Sequence, residues 1–207
     1  MEYVEIFIDA EYVLQSLRSL YGKPFEVKMR KEDFKWGNFV KYILKNRKIT
    51  QVNYYTARLD EVENKETYDA QTIFLEQIRQ SLCAYNVQMR LGKMIKIKNK
   101  TQKTWNKQRE VHTQFISWGQ KGIDTKIILD LCRYAYENDG EVSKTAVLVS
   151  GDEDFAEVLG VLKEKNIRTE VIIFNRRDTR GFAKTLQEVA DSFTVLSYDD
   201  CIKRNIL

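Results

Sequence analysis

Four carboxylates stand where apolar runs stop. Asp9 closes the run Val4-Glu5-Ile6-Phe7-Ile8, and Asp152 and Asp154 directly follow Ala146-Val147-Leu148-Val149-Ser150-Gly151. Asp124 comes after Gly119-Gln120-Lys121-Gly122, at the head of a helical pattern. If the two runs are neighbouring parallel strands, these acids meet at one end of a sheet. Converging carboxylates repel, so they either hold protons above their usual pKa or cost stability. A divalent cation resolves the conflict, and Mg²⁺ needs only a few oxygen ligands because it keeps several waters. Cys83, Cys132 and Cys201 are an odd number without a C-x-x-C pair, and His112 is the one histidine. A disulfide framework and a thiolate zinc site are thereby excluded, and the three cysteines are expected to be buried packing residues. Each acid also has a plain alternative: Asp124 and Asp152 as helix N-caps, Asp154 as a partner of a first-turn dipole. Asp9 is the hardest to explain that way, since a carboxylate ending an apolar strand has little structural reason to be there. Asp130 follows Asp124 by six residues, about 240° further round a helix. It is expected to be structural, or to support the site from behind.

The elements that must position these groups alternate in type. Val4–Ile8 reads as a strand feeding a helix whose apolar face holds Tyr12, Val13, Leu17 and Leu20. Helical spacing recurs over Phe34–Leu44 and over Thr67–Ala84, with Ile73, Phe74, Gln77, Ile78 and Leu82 as the inward stripe of the latter. Two further helices are predicted at Ile123–Tyr136 and Phe155–Lys165. Strands are predicted at Gln51–Thr56, from Val87, and at Lys144–Ser150, Arg168–Phe174 and Ser192–Leu196. Uninterrupted apolar strands alternating with helices predict a three-layer α/β/α domain around a mainly parallel sheet. Sites in such sheets lie outside the carboxyl ends of the strands.

The chain has 207 residues, 43% of them hydrophobic, and one proline, with no repeat and no low-complexity tract. One domain over residues 1–207 is expected, with about 70% of the unfolded surface buried. Its 34 basic residues exceed its 30 acidic ones by four. Seven of the 34 fall between Lys93 and Arg109, a stretch of 17 residues without an acid, which leaves 27 cations against 30 anions elsewhere. A β-extension leading into a solvated loop is expected there, returning as a strand near Val111–Ser117. The choice lies between a solvated hairpin and a nucleic-acid contact, where Lys98, Lys100 and Lys103 would neutralise phosphates and Trp105 would stack. The longest apolar runs are far shorter than the roughly 18–20 residues that span a bilayer. The acidic N-terminal residues do not resemble a signal peptide. A cytoplasmic protein without membrane contact is expected.

Phe7-Ile8-Asp9-Ala10, the stretch from Gln120 to Asp124 and on through Asp130-Leu131, and Ser150-Gly151-Asp152-Glu153-Asp154-Phe155 resemble the three motifs of the NYN domain, within the PIN-like ribonuclease superfamily that includes the LabA-like proteins. The resemblance runs from position 4 to about position 197. It implies a PIN-like, Rossmann-like α/β/α fold and a Mg²⁺ or Mn²⁺ site that hydrolyses RNA phosphodiesters. Asp9, Asp124, Asp152 and Asp154 become its metal-binding and catalytic cluster, with Ser150 as the small hydroxyl residue beside it. Such a cation would activate water for in-line attack on phosphorus. Lys121, Arg176 and Arg177 could then hold flanking phosphates. The expected substrate is single-stranded RNA. The assembly is left open between monomer and homodimer.

The sequence departs from the family in two places. The Lys93–Arg109 segment looks like an elaboration of the core that could set substrate preference, and Glu11 and Tyr12 stand where members usually carry Asn. A catalytically inactive RNA-binding or protein-interaction module is therefore the alternative. A haloacid-dehalogenase-like phosphohydrolase fits less well, because Glu11 replaces the second Asp that chemistry needs and the Gly151-to-Asp154 spacing is wrong for it.

Overall fold

A computed structural model describes residues 2–23, 29–62, 65–98, 102–106, 109–113, 116–137, 143–177 and 183–207; at 97, 98, 102–106, 109–113 and 116–118 it describes the backbone alone. Strand β1 (Tyr3–Asp9) is the centre of the sheet. Its alternation sends Ile6 and Ile8 into one core and Phe7 into another, and all three are fully buried. That two-faced burial is what a continuous apolar run of β-branched and aromatic residues produces in a parallel sheet.

Helix α1 (Ala10–Arg18) begins at the residue after Asp9 and buries Val13 and Leu17. It is followed by α2 (Trp36–Leu44), β2 (Lys48–Arg58), α3 (Lys65–Ser81) and β3 (Val87–Lys98). Next come a two-stranded ribbon, β4 (Gln102–Asn106) with β5 (Arg109–Thr113), and the strand β6 (Ile116–Lys121). The chain continues through α4 (Ile123–Tyr136), β7 (Lys144–Val149), α5 (Ala156–Glu164), β8 (Arg168–Phe174), α6 (Lys184–Val189), β9 (Ser192–Leu196) and α7 (Tyr198–Lys203).

Among the described residues the main sheet has seven strands in the order β6-β3-β2-β1-β7-β8-β9, parallel except for β6. From β1 the chain builds outward to β2 and β3, and then returns to lay β7, β8 and β9 on the other side of β1. The connections diverge between β1 and β7, where a crevice opens at the carboxyl ends. One core lies under α1, α2 and α3 and contains Ile6, Ile8, Tyr54, Val149 and Phe174. The other lies under α4, α5 and α6 and contains Phe7, Tyr55, Leu148 and Ile173. The fold is the expected three-layer α/β/α arrangement.

Helix α4 and strands β8 and β9 fall on their predicted bounds, and β2 outruns its prediction at both ends. Helices α6 and α7 have no counterpart in the prediction, since six residues are too few to establish a 3.6-residue period. Two packing expectations fail. Ile73 and Gln77, assigned to the inward stripe of α3, are exposed, Ile73 to 61%, while Phe74, Ile78 and Leu82 of that stripe are buried together with Leu75. Cys83, expected to pack inside, is exposed because it sits in a 3-10 turn after α3 rather than on the helix, while Cys201 is buried. The return strand begins at Ile116, later than expected, because β4 and β5 form their own ribbon first.

Asp130 fastens α4 to the sheet. Its carboxylate accepts the Tyr55 hydroxyl at 3.0 Å and pairs with Arg90 at 3.3 Å and Arg133 at 3.0 Å. Removing it strands the buried Tyr55 hydroxyl and takes one partner from Arg90, whose partly exposed guanidinium still bonds Asn53. Asp130→Ala is expected to destabilise the fold by about 1–3 kcal/mol in urea denaturation, with no change in the geometry of the carboxyl-end cleft. A loss below about half a kcal/mol would show that the cluster contributes nothing to stability.

Candidate metal and phosphodiester site

Asp9 is both the last residue of β1 and the N-cap of α1. Its Oδ1 accepts the Tyr12 backbone N–H at 3.1 Å, which satisfies one of the donors a helix start leaves unpaired. This is the structural reason that sequence reasoning did not find for Asp9. Its Oδ2 accepts the Ser150 hydroxyl at 3.2 Å. Ser150 is completely buried, and its oxygen in turn accepts the Asp152 N–H at 3.3 Å. One carboxylate and one hydroxyl thus join the ends of β1 and β7. Burial pushes the Asp9 carboxyl up to about 6, against the two hydrogen bonds that lower it, and the charges of Asp124 and Glu11 raise it further.

Asp152 caps the short 3-10 turn Glu153–Phe155, accepting the Asp154 N–H at 3.0 Å. Asp124 is not a cap. Gly122 occupies the N-cap of α4 with φ of +80°, a conformation glycine takes without strain. Asp124 stands in the first helical turn, and burial followed by the charges of Asp152 and Asp154 holds its carboxyl above its ordinary value.

Asp9, Asp124 and Asp152 border one cleft of about 510 Å³ at the carboxyl end of the sheet, together with Glu11, Gln120 and Arg176. Asp154 is not in its lining, although its field reaches Asp124. Among the described residues no three Asp, Glu, His or Cys side chains are grouped closely enough to hold an ion. The four acids expected to be one ligand set are therefore not gathered into one shell. Asp9, Asp124 and Asp152 line the cleft together, one oxygen of Asp152 being engaged in its own cap, and Asp154 lies outside the lining.

The donors that remain still suit a small hard cation. They are carboxylate oxygens in mutual repulsion, and Mg²⁺ is commonly held by one or two carboxylates with waters and substrate oxygens completing its shell. Asp9 and Asp124 are the two residues that would hold it.

The departures from the motif have definite contacts. Tyr12 places its phenol oxygen where it accepts the Phe174 N–H at 3.0 Å, tying α1 to the end of β8. Its ring lies so close to Gly151 that a Cβ there would stand 2.7 Å from the Tyr12 ring, so the turn after β7 requires glycine. Glu11 accepts the side-chain amides of Gln15 at 2.9 Å and Gln120 at 3.1 Å. Sequence reasoning placed Gln120 at the head of a motif without giving it a role, and missed Gln15 and Met94 as cleft residues; no local signal marks those two, because they come from separate elements.

The expected phosphate-binding cations separate in space. Arg176 lines the cleft and pairs with Leu20 in an isolated antiparallel bridge. Arg177 is exposed outside the lining and donates its N–H to Ser19. Lys121 is exposed, opposite Lys93 in the β3–β6 register, and does not line the cleft. Lys100 lies outside the described residues, as do the side chains of Lys98, Lys103, Trp105 and Trp118.

The profile of the NYN domain matches residues 3–197, nearly the whole chain. The chain belongs to the NYN domain family. NYN domains are part of the PIN-like nuclease superfamily, whose nucleases typically use divalent metals. Among curated proteins none matches the chain. No helix among the described residues is long and apolar enough to cross a membrane.

Two outcomes follow from this geometry. The folded Asp9 carboxyl binds its proton more tightly than the unfolded one, so the stability it contributes is complete below about pH 4 and lost as pH rises through about 6. In EDTA, Asp9→Asn, which can still cap α1, is expected to gain about 1–3 kcal/mol over wild type at pH 8. That gain should shrink towards pH 4, as read from denaturation curves across the range. A variant equally destabilised at every pH would contradict the assignment. Gly151→Ala must displace the Tyr12 ring and is expected to cost about 1–3 kcal/mol. The same substitution in a Tyr12→Ala background should cost much less, which a double-mutant cycle measures.

Proposed function

We propose that this NYN domain is a divalent-cation-dependent ribonuclease that hydrolyses RNA phosphodiester bonds in the cleft between β1 and β7. The observation that carries the reading is the pair Asp9 and Asp124, two carboxylates in one cleft with raised proton affinities, at the switch point of an NYN fold. Mg²⁺ or Mn²⁺ bound there would supply an activated water and neutralise charge developing on the phosphoryl oxygens.

The chain's own residues do the rest. The Tyr12 N–H and the Ser150 hydroxyl fix the Asp9 carboxylate in orientation, and each of its oxygens keeps a lone pair for a cation. Asp124 presents its carboxylate from a short turn whose backbone Gly122 bends. Asp152 and Asp154 deepen the negative field at Asp124 and so strengthen its hold on a cation. Arg176, on the β8 side of the cleft, is the group placed to hold a flanking phosphate. No side-chain nucleophile is needed.

The second reading, an RNA-binding module without turnover, draws on the engaged state of Glu11, whose carboxylate is occupied by two amides. Cleavage of a labelled mixed-structure RNA separates the two. The nuclease reading expects cleavage by wild type with Mn²⁺ or Mg²⁺, none with EDTA, and a loss of at least about 100-fold in Asp9→Asn and in Asp124→Asn while both bind RNA and melt cooperatively. Folded, metal-supplemented wild type that binds RNA without cleaving it selects the binding module.

A further inference from the structure

The connection between β3 and β6 holds a surface that the cleft chemistry does not use. Strand β2 ends at Arg58, opposite Lys93, and among the described residues β3 has no parallel neighbour beyond that point. Residues Met94 to Lys98 run on past the sheet, paired with β6. This two-stranded extension leaves the sheet at its carboxyl end, the end where Asp9 and Asp152 lie. Its base is already part of the site, because Met94 and Gln120 are register partners and both line the cleft.

Directly opposed residues of an antiparallel pair share a face, and alternate residues along a strand keep it. The face holding Met94 and Gln120 therefore continues through the pair Lys96 and Trp118 and then Lys98 and Ile116. The other face holds the pairs Lys93 with Lys121 and Ile95 with Gly119. Lys96 is exposed, one step beyond the cleft wall. Same-face positions are about 6.6–6.8 Å apart along a strand, a spacing that an extended polynucleotide can follow phosphate by phosphate. The base of the extension is tied to the capped start of α1 by the hydrogen bond from Gln120 to Glu11. The track thus keeps a set position relative to Asp9.

We infer that the β3–β6 face beginning at Met94 and Gln120 and continuing through Lys96 is a track that guides one strand of single-stranded RNA to or from the cleft. The inference rests on the ribonuclease reading for what happens in the cleft. Two features select the ligand. Cationic side chains flank the acidic floor, Lys96 on the extension and Arg176 on the β8 side, and suit the evenly spaced phosphates of a polynucleotide. Asp9 lies half-buried in a cleft walled by the extension and by β8, so a phosphate reaches it on a lone strand and not on an A-form duplex, which is recognised by its surface.

The test is equilibrium binding of a labelled single-stranded RNA of about 12 nucleotides to the full chain, followed by anisotropy between about 50 and 200 mM salt. It is done with EDTA on wild type and with Mg²⁺ on Asp9→Asn, so that no cleavage intrudes. Lys96→Gln and Lys93→Gln remove the same charge from positions three residues apart on opposite faces. Lys96→Gln is expected to weaken binding about 3- to 10-fold and to reduce the slope of log K against log salt by about 0.7, the value of one single-strand phosphate contact. Lys93→Gln is expected to leave both within error, and the same RNA annealed to its complement should bind several-fold more weakly. Equal effects of the two substitutions, or tighter binding of the duplex, would overturn the track while leaving the ribonuclease reading standing. No binding under either condition would overturn the track, and metal-dependent cleavage by wild type decides the ribonuclease reading separately.

Discussion

The carboxyl end of this sheet is arranged around one half-buried carboxylate. Asp9 must end a central strand, start a helix and face an acidic cleft at once, and these demands conflict. The strand and the surrounding core remove water from the carboxyl group, which disfavours its charge, while the helix start and the Ser150 hydroxyl favour it through two hydrogen bonds. Desolvation prevails, and the group is left with a proton affinity well above an ordinary aspartate. A fold that keeps such a group spends stability to hold a binding feature in readiness.

The neighbouring residues follow from that placement. Ser150 is buried because its hydroxyl bridges the ends of β1 and β7. Residue 151 is glycine because the Tyr12 ring fills the space a Cβ would need, and Tyr12 is there because its hydroxyl closes the end of β8. The Glu11-Tyr12 pair, which departs from the family pattern, is integrated into the site in this way. Glu11 is joined to the β3–β6 extension and Tyr12 to the β7 and β8 ends, so the first turn of α1 touches every wall of the cleft. Charge is sorted on the same plan. Three of the acids line the cleft, and the basic run begins, at Lys93 and Lys96, on the strand pair that forms one wall.

Much of this was legible in the chain. Apolar runs of strand length between amphipathic stretches predicted the three-layer fold, and the positions of Asp9, Asp124 and Asp152 at the ends of those runs predicted a shared cleft. Packing was less legible. Ile73 looks inward by period alone, yet α3 lies on the outside of the sheet and has one narrow buried stripe, so a residue one position from that stripe is exposed. Cys83 could not be placed without knowing that α3 ends at Ser81. The expected four-carboxylate cluster also thinned, because sharing one end of a sheet does not make side chains converge. Asp152 is turned into the cap of its own 3-10 turn, and the turn carries Asp154 past the cleft.

By itself the sequence determined the local and periodic properties: which segments are strands and helices, that the sheet is mainly parallel, where the acids stop the strands, and where positive charge concentrates. These depend on neighbours within a few positions, which the chain order supplies directly. Only the tertiary structure decided which of those acids line one cleft, that Gln120 from β6 meets Glu11 from α1, that Tyr12 makes Gly151 obligatory, and which face of the β3 extension continues the cleft wall. Those are contacts between residues tens to more than a hundred positions apart. They are set by strand register and by the angle at which helices cross the sheet, and no local pattern encodes either.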